Sequence, residues 1–302
     1  MPNRRYWIHA LTPVHVGVGL GSGFIDLPVM REKITGWPLI PGSAVKGVRA
    51  DQFASLNPKP ANHEEIRVAA FGQADESSYD DQANSGALVF TDARLVCLPV
   101  RSYYGTFAWL TSPLALKRLK RDADGASLAL ADGPDATVDE GNALVPQGAA
   151  SALVEKTLKS AGKIYLEDLD LTPAESPEAA TWADRIACQI FSGDSAWQAE
   201  FRKRFVIVPD NTFNFFCETG CEVNARVRID SDKKTVARGA LWYEESLPAE
   251  SILSGLVWCD RVFHSTVTAD VLVNTLCTHD LALQIGGKAT VGKGRVRCLF
   301  AV

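Results

Sequence analysis

No stretch of this sequence is apolar for long enough to cross a bilayer. Arg4 and Arg5 stand near the start, but His9, Thr12, Pro13 and His15 interrupt the segment behind them, so the chain is expected to stay in the cytoplasm with no membrane partner. A disulfide framework is also missing. The seven cysteines are odd in number, scattered from Cys97 to Cys298, and suit a reducing compartment. The closest pair, Cys217 and Cys221, lacks a second pair or a nearby histidine, which speaks against structural zinc. Nor is there a general excess of positive charge, since the formal net charge is −5.

Two glycine-rich segments fall short of nucleotide-binding motifs. Gly17, Gly19, Gly21 and Gly23 lead into Phe24 to Pro28, so no helix N-terminus comes next to receive a pyrophosphate. In GGKATVGKG, Gly287 precedes Gly292 and Lys293 by the spacing of a P-loop, but Gly294 stands where a magnesium-binding hydroxyl belongs. Taken alone, each loop reads first as a tight turn. Each could also bring bare backbone N–H groups to a polyanion, with Lys288, Lys293 and Arg295 supplying charge beside the second.

What is present is a chain of 302 residues, 46% hydrophobic and 22% charged, enough for a large core in one elaborated domain or two small ones. Its cations gather in six islands: Arg31/Lys33, Lys46/Arg49, Lys117 to Arg121, Arg202 to Arg204, Lys233 to Arg238, and Lys288 to Arg297. Clustering of this kind counts for nucleic-acid binding more than the sum does.

Tyr6 to Leu11 and Arg295 to Val302 read as strands, so both ends are expected in one sheet. Ser43 is expected to cap a first helix carrying Val45, Val48 and Phe53, with further helices over Asn62 to Phe71, after Ser112-Pro113, and over Trp182 to Ile190. Residues 122–147 read as a surface insertion. Strands are predicted at Phe205 to Val208, Phe213 to Cys217 and Val223 to Ile229, the last returning through Val236 to Tyr243 as a basic-edged hairpin. A helix capped by Thr268 and running to about Gln284 precedes the final strand.

Five ordered blocks carry a resemblance. LTPVHVGVGLGSGFIDLPVMRE with TGWPLIPGSAVKGVRAD, and LQIGGKATVGKGRVRCLF, look like the paired signatures of the RAMP superfamily of CRISPR proteins. SYYGTFAWLTSPLALKRLKRD, FVIVPDNTFNFF and RGALWYEESLP are similar to the repeated backbone subunit of type III-B (Cmr) effector complexes. The resemblance implies an α+β fold with an RRM-like (ferredoxin-like) core over residues 1–302, insertions near 57–85 and 110–200, and a projecting hairpin thumb near 223–250. It further implies copies stacked head to tail along a CRISPR guide RNA, other Cmr-complex subunits as partners, and cleavage of complementary target RNA. Asp26 matches the family's catalytic aspartate, and Mg²⁺ or Mn²⁺ would be held chiefly by it, by water and by RNA phosphate.

His15 is a further candidate for proton transfer, and Tyr243 with Glu244 could approach from the hairpin base. The resemblance also implies guide contacts from Lys46 with Ser43 and Arg49, with further contacts expected from Gly287, Lys288, Gly292, Lys293 and Arg295 and from Lys233, Lys234 and Arg238. The absence of a nucleophile–base pair keeps open a second reading, a scaffold that holds the guide without cutting. Processing of CRISPR RNA fits the interior blocks less well, and nucleotide hydrolysis fits least.

Overall fold

The computed structural model describes residues 2–301 apart from 20, 22, 24, 74–83, 129, 131, 156–161, 231, 264, 265 and 279, and it omits the side chains of 237 and 238. Parts of the first glycine loop, of the turn at 230–234 and of the insertions expected near 57–85 and 110–200 thus lie outside the described residues.

The first strand, Asn3–Ala10, shows why a sheet forms. Tyr6, Ile8 and Ala10 enter one core while Trp7 enters another, as the two-residue period of a strand requires. It pairs antiparallel with Ile252–Cys259 on one side and with Arg295–Ala301 on the other. Gly255 sits opposite Tyr6 because a Cβ there would come within 2.5 Å of the phenol ring. Among the described residues the sheet has twelve strands, and its main path runs Leu281–Gln284, Arg295–Ala301, Asn3–Ala10, Ile252–Cys259, Ala93–Arg101, Phe107–Thr111, Phe205–Ile207, Asn142–Pro146, Leu169–Ser176, Ile164–Leu166. Pairing is mostly antiparallel, with parallel neighbours at Phe107–Thr111/Phe205–Ile207 and Asn142–Pro146/Leu169–Ser176.

Helices cover both faces. On the face of Tyr6 and Ile8 lie α1 (Gly42–Ala54) and α2 (His63–Phe71), through Val45, Phe53, Ile66 and Ala70. The Trp7 face is covered by α3 (Pro113–Gly125), α4 (Pro177–Ile190) and α5 (Ser195–Arg204), through Leu116, Leu119, Trp182, Ile186 and Phe201. The chain then returns to the first face with α6 (Asp210–Thr219) and α7 (Ala269–Leu276). Ser112 and Ser176 cap α3 and α4 by accepting the N–H of Ala115 and Ala179, each with proline at the first helical position. The result is an α+β architecture built on one large mixed sheet.

Several expectations need correction. Phe213 to Cys217 is not a strand but part of α6: Phe213, Phe216 and Cys217 are buried at helical spacing while Phe215 faces solvent. Thr268 does cap α7, but that helix stops at Leu276, and Leu281–Gln284 is a strand paired with Arg295–Cys298. Residues 122–147 are not merely a surface insertion, because Asn142–Pro146 lies inside the sheet with Ala143 and Val145 buried. The cap of α1 is Pro41, and Ser43 falls within the first turn. Among the described residues no helix is long and apolar enough to cross a membrane.

Candidate nucleic-acid interface

Three segments meet where the first strand ends. Leu11 donates to the Arg295 carbonyl (2.9 Å), Gly294 to Pro13 (2.8 Å) and Gly287 to His15 (2.9 Å), while Val14 and Leu247 exchange bonds of 2.8 Å. These tie the loop after the first strand to the 285–294 loop and to the base of the hairpin formed by Glu222–Ile229 and Val236–Ser246. The glycines are required by this packing. Gly294 has φ +85°, and a Cβ there would lie 2.2 Å from the Ile285 carbonyl oxygen; Gly286, at φ +82°, would meet the His15 carbonyl at 2.2 Å.

Asp26 stands exposed at the hairpin base. Its Oδ2 accepts the backbone N–H of Tyr243 at 2.7 Å, joining residues 217 positions apart. Leu27 N–H donates to Tyr243 O (3.1 Å) and Glu245 N–H to Leu27 O (3.0 Å), so the aspartate is carried on a short parallel bridge to the hairpin. Among the described residues nothing bonds the other carboxylate oxygen, Oδ1.

Glu244, by contrast, is 1% exposed. Its Oε1 lies 2.8 Å from the Lys293 ammonium and its Oε2 3.3 Å from that of Lys288, while Lys293 also donates to Ser246 Oγ at 2.6 Å. Burial alone would raise the pKa of this carboxyl, but the bonds and charges of Lys293 and then Lys288 overrule it and hold the pKa below the ordinary glutamate value. Glu244 is therefore an internal counter-ion that anchors the glycine loop, not the accessible acid expected from the sequence. Lys293 is corrected with it: at 5% exposure its ammonium is turned inward, and Lys288, partly exposed, is left as the cation at the loop surface. Neighbouring Glu245 is buried too, accepting from Arg31 (2.5 Å) and from the N–H of Val29 (2.9 Å).

His15 is buried, and its Nδ1 lies 2.7 Å from the Glu245 carbonyl oxygen, an acceptor, so Nδ1 carries the proton. A Cβ at Gly17 would come 2.9 Å from Nε2. The ring thus braces the hairpin base and does not open to solvent as a shuttle would.

The remaining candidates lie on other elements. Ser43 is exposed on the first turn of α1, whereas Lys46, one turn on, donates to Gly86 O (3.4 Å) and has its pKa lowered by burial. Arg49 is not a surface contact: it is 4% exposed, its Nε donates to Leu276 O (3.2 Å), and its guanidinium lies over Phe53. Lys233 and Lys234 are exposed at the hairpin tip, where Asp230 Oδ1 accepts the Lys233 N–H (3.0 Å); the Arg238 side chain lies outside the described residues. Gly287, Gly292 and Arg295 are exposed on the 285–294 side. Sequence reasoning missed the Arg31–Glu245 clamp, and also how fully the apolar face of the hairpin is exposed, with Val227, Leu241, Ile229 and Val236 all in solvent. Alternation of Val223, Ala225 and Val227 was the signal for that face.

Among the described residues no three His, Cys, Asp or Glu side chains converge on one point. With Glu244 neutralised by two lysines, Asp26 is the carboxylate of this site open to an outside cation. Magnesium keeps most of its ligands as water and phosphate oxygens, so one carboxylate does not fit a resident metal centre.

These segments extend across the sequence, and a family pattern spans them as well: the RAMP superfamily model matches residues 7–297. The chain belongs to the RAMP superfamily. It is 30% identical over 291 residues to the CRISPR system Cmr endoribonuclease Cmr4 of Pyrococcus furiosus, covering 96% of this chain and 92% of that protein. The crystal structure of oligomeric Cmr4 from Pyrococcus furiosus superposes with a TM-score of 0.70 at 23% identity, over 99% of this chain and 97% of the other. A chain of the type III-B Cmr-beta complex bound to cognate target RNA gives a TM-score of 0.73 at 21% identity, again over 99% and 97%. At these identities the two structures establish a shared fold, and this RAMP protein keeps it along its length.

Proposed function

We propose that this RAMP protein is a guide-RNA-binding backbone subunit of a type III-B effector, stacked head to tail with copies of itself beside other Cmr subunits, and that it cuts RNA paired with the guide. The observation that carries the reading is Asp26: an exposed carboxylate pinned by a backbone N–H at the root of a projecting hairpin, beside a glycine loop that Lys288 edges. The whole-length similarity to a Cmr endoribonuclease supports it. We read residues 1–302 as one cytoplasmic domain.

The strand order Arg295–Ala301, Asn3–Ala10, Ile252–Cys259, Ala93–Arg101, with α1 after the first strand and α7 before the last, supports an RRM-like palm. The hairpin is its thumb. An exposed apolar face opposite Arg226, with Lys233 and Lys234 at the tip, suits leaning against nucleotides and their phosphates.

RNA supplies its own nucleophile. When the backbone is bent so that a 2′-hydroxyl lines up with the adjacent phosphorus, attack forms a cyclic phosphate and expels the 5′-oxygen of the next nucleotide. Asp26 is the group on this surface that accepts the 2′-hydroxyl proton, and Lys288 offers positive charge to the phosphate. A divalent ion such as Mg²⁺ or Mn²⁺ would arrive with the RNA, and among the described residues of this site the chain would offer it Asp26.

In a complex reconstituted with guide, Asp26→Asn is expected to lower the cleavage rate of complementary RNA by about a hundredfold or more, with guide and target binding unchanged. Cleavage at the unaltered rate would remove Asp26 from the mechanism. The second reading, a scaffold that does not cut, is favoured by the burial of His15 and Glu244, which takes both of them out of reach as partner acids for Asp26. It predicts tight target binding and no products from the unaltered complex.

A further inference from the structure

Away from the hairpin, the chain builds a second concave site that the cleavage reading does not use. Tyr103, Tyr104 and Tyr165 surround an open pocket of about 390 Å³, completed by Glu155 and Glu167. Ring centroids are 5.3 Å apart for Tyr103 and Tyr104, 6.3 Å for Tyr103 and Tyr165, and 6.2 Å for Tyr104 and Tyr165; Tyr103 meets each of the other two edge to face at 71°, and those two are tilted by 41°, so three aromatic rings cluster at one pocket. Tyr103 is 81% exposed, so its ring is open to an incoming group.

The rings are held in place. Tyr103 N–H and Ser102 Oγ both donate to the Tyr165 carbonyl at 3.1 Å, and the turn beyond Tyr104 takes positive φ at Gly105 and Thr106. Tyr165 Oη donates to Glu155 Oε2 at 3.2 Å, and burial together with that carboxylate raises the pKa of the Tyr165 and Tyr104 phenols, keeping both protonated. Glu167 opens the two-residue turn between Ile164–Leu166 and Leu169–Ser176 with φ +50°, a position where glycine is the relaxed choice. The chain keeps a glutamate there, and it lines the pocket.

We propose that this pocket binds the guanidinium of an arginine side chain on a partner protein. Aromatic faces attract a cation through their quadrupoles, and arginine is the commonest such partner. Its planar fork also matches carboxylates, of which the rim has two. The same two negative charges repel phosphates, which favours a cationic side chain over a stacked nucleotide.

The test uses the full chain labelled with fluorotyrosine, whose six tyrosines give resonances assignable by single Tyr→Phe changes. Titration with N-acetyl-arginine amide is expected to shift Tyr103, Tyr104 and Tyr165 saturably, while Tyr6 in the core stays put. The neutral isostere N-acetyl-citrulline amide should shift none of them, and the double variant Glu155→Gln/Glu167→Gln should bind arginine about tenfold more weakly. Equal response to citrulline, unchanged affinity in the variant, no response to arginine, or response to oligouridylate in its place would each overturn the proposal.

Discussion

Glu244 is almost sealed from water yet keeps its charge, because Lys293 and Lys288 approach both of its oxygens. Removing one member of such a pair strands the other in a medium that solvates it poorly. Glu244→Gln is therefore expected to lower stability at neutral pH by about 3 kcal/mol, measured by denaturant unfolding. The pH dependence has a definite sign. The folded-state pKa lies below that of an unfolded glutamate, so the stabilisation is complete above the ordinary glutamate range and is lost as pH falls through the folded value. The gap between the parent chain and Glu244→Gln should accordingly narrow in acid, and a gap that stays constant down to about pH 3 would contradict the assignment.

Among elements, the 285–294 loop depends on its glycines for shape more than for phosphate contact. At φ +85°, with a carbonyl oxygen 2.2 Å from any added Cβ, Gly294→Ala is expected to cost at least about 2 kcal/mol and to displace Lys293 from Glu244. Unfolding midpoints and the cleavage assay should fall together; a variant of parental stability would refute the packing argument. Local signals made much of this architecture legible. Ser112-Pro113 announced α3, the spacing of Trp182, Ile186 and Ile190 announced α4, and the alternation after Val223 announced the hairpin. Where the reading failed, competing signals overlapped. The aromatic run Phe213 to Cys217 has strand-like composition, but packing against the sheet selects its helical period, and Thr268 marks where α7 starts while saying nothing of the stop at Leu276.

At the scale of the whole molecule, one sheet with helices on both faces gathers the first loop, the hairpin base and the glycine loop at a single place. That gathering could be anticipated only in part. Asp26, His15, Tyr243, Glu244 and the 286–294 segment do come together, whereas Lys46 and Arg49 lie on α1 with partners of their own. Burial decides the roles within the group, and sequence carries little of it: a lysine in a glycine loop reads the same whether its ammonium meets solvent, as that of Lys288 partly does, or a buried carboxylate, as that of Lys293 does. A head-to-tail stack repeats one active surface at one spacing. The most direct measurement is therefore the map of cut positions on a labelled target RNA bound by the reconstituted complex. Products whose ends recur at a fixed interval, and which all vanish together in Asp26→Asn, are the predicted result; intact target under tight binding, or a single cut, would contradict it.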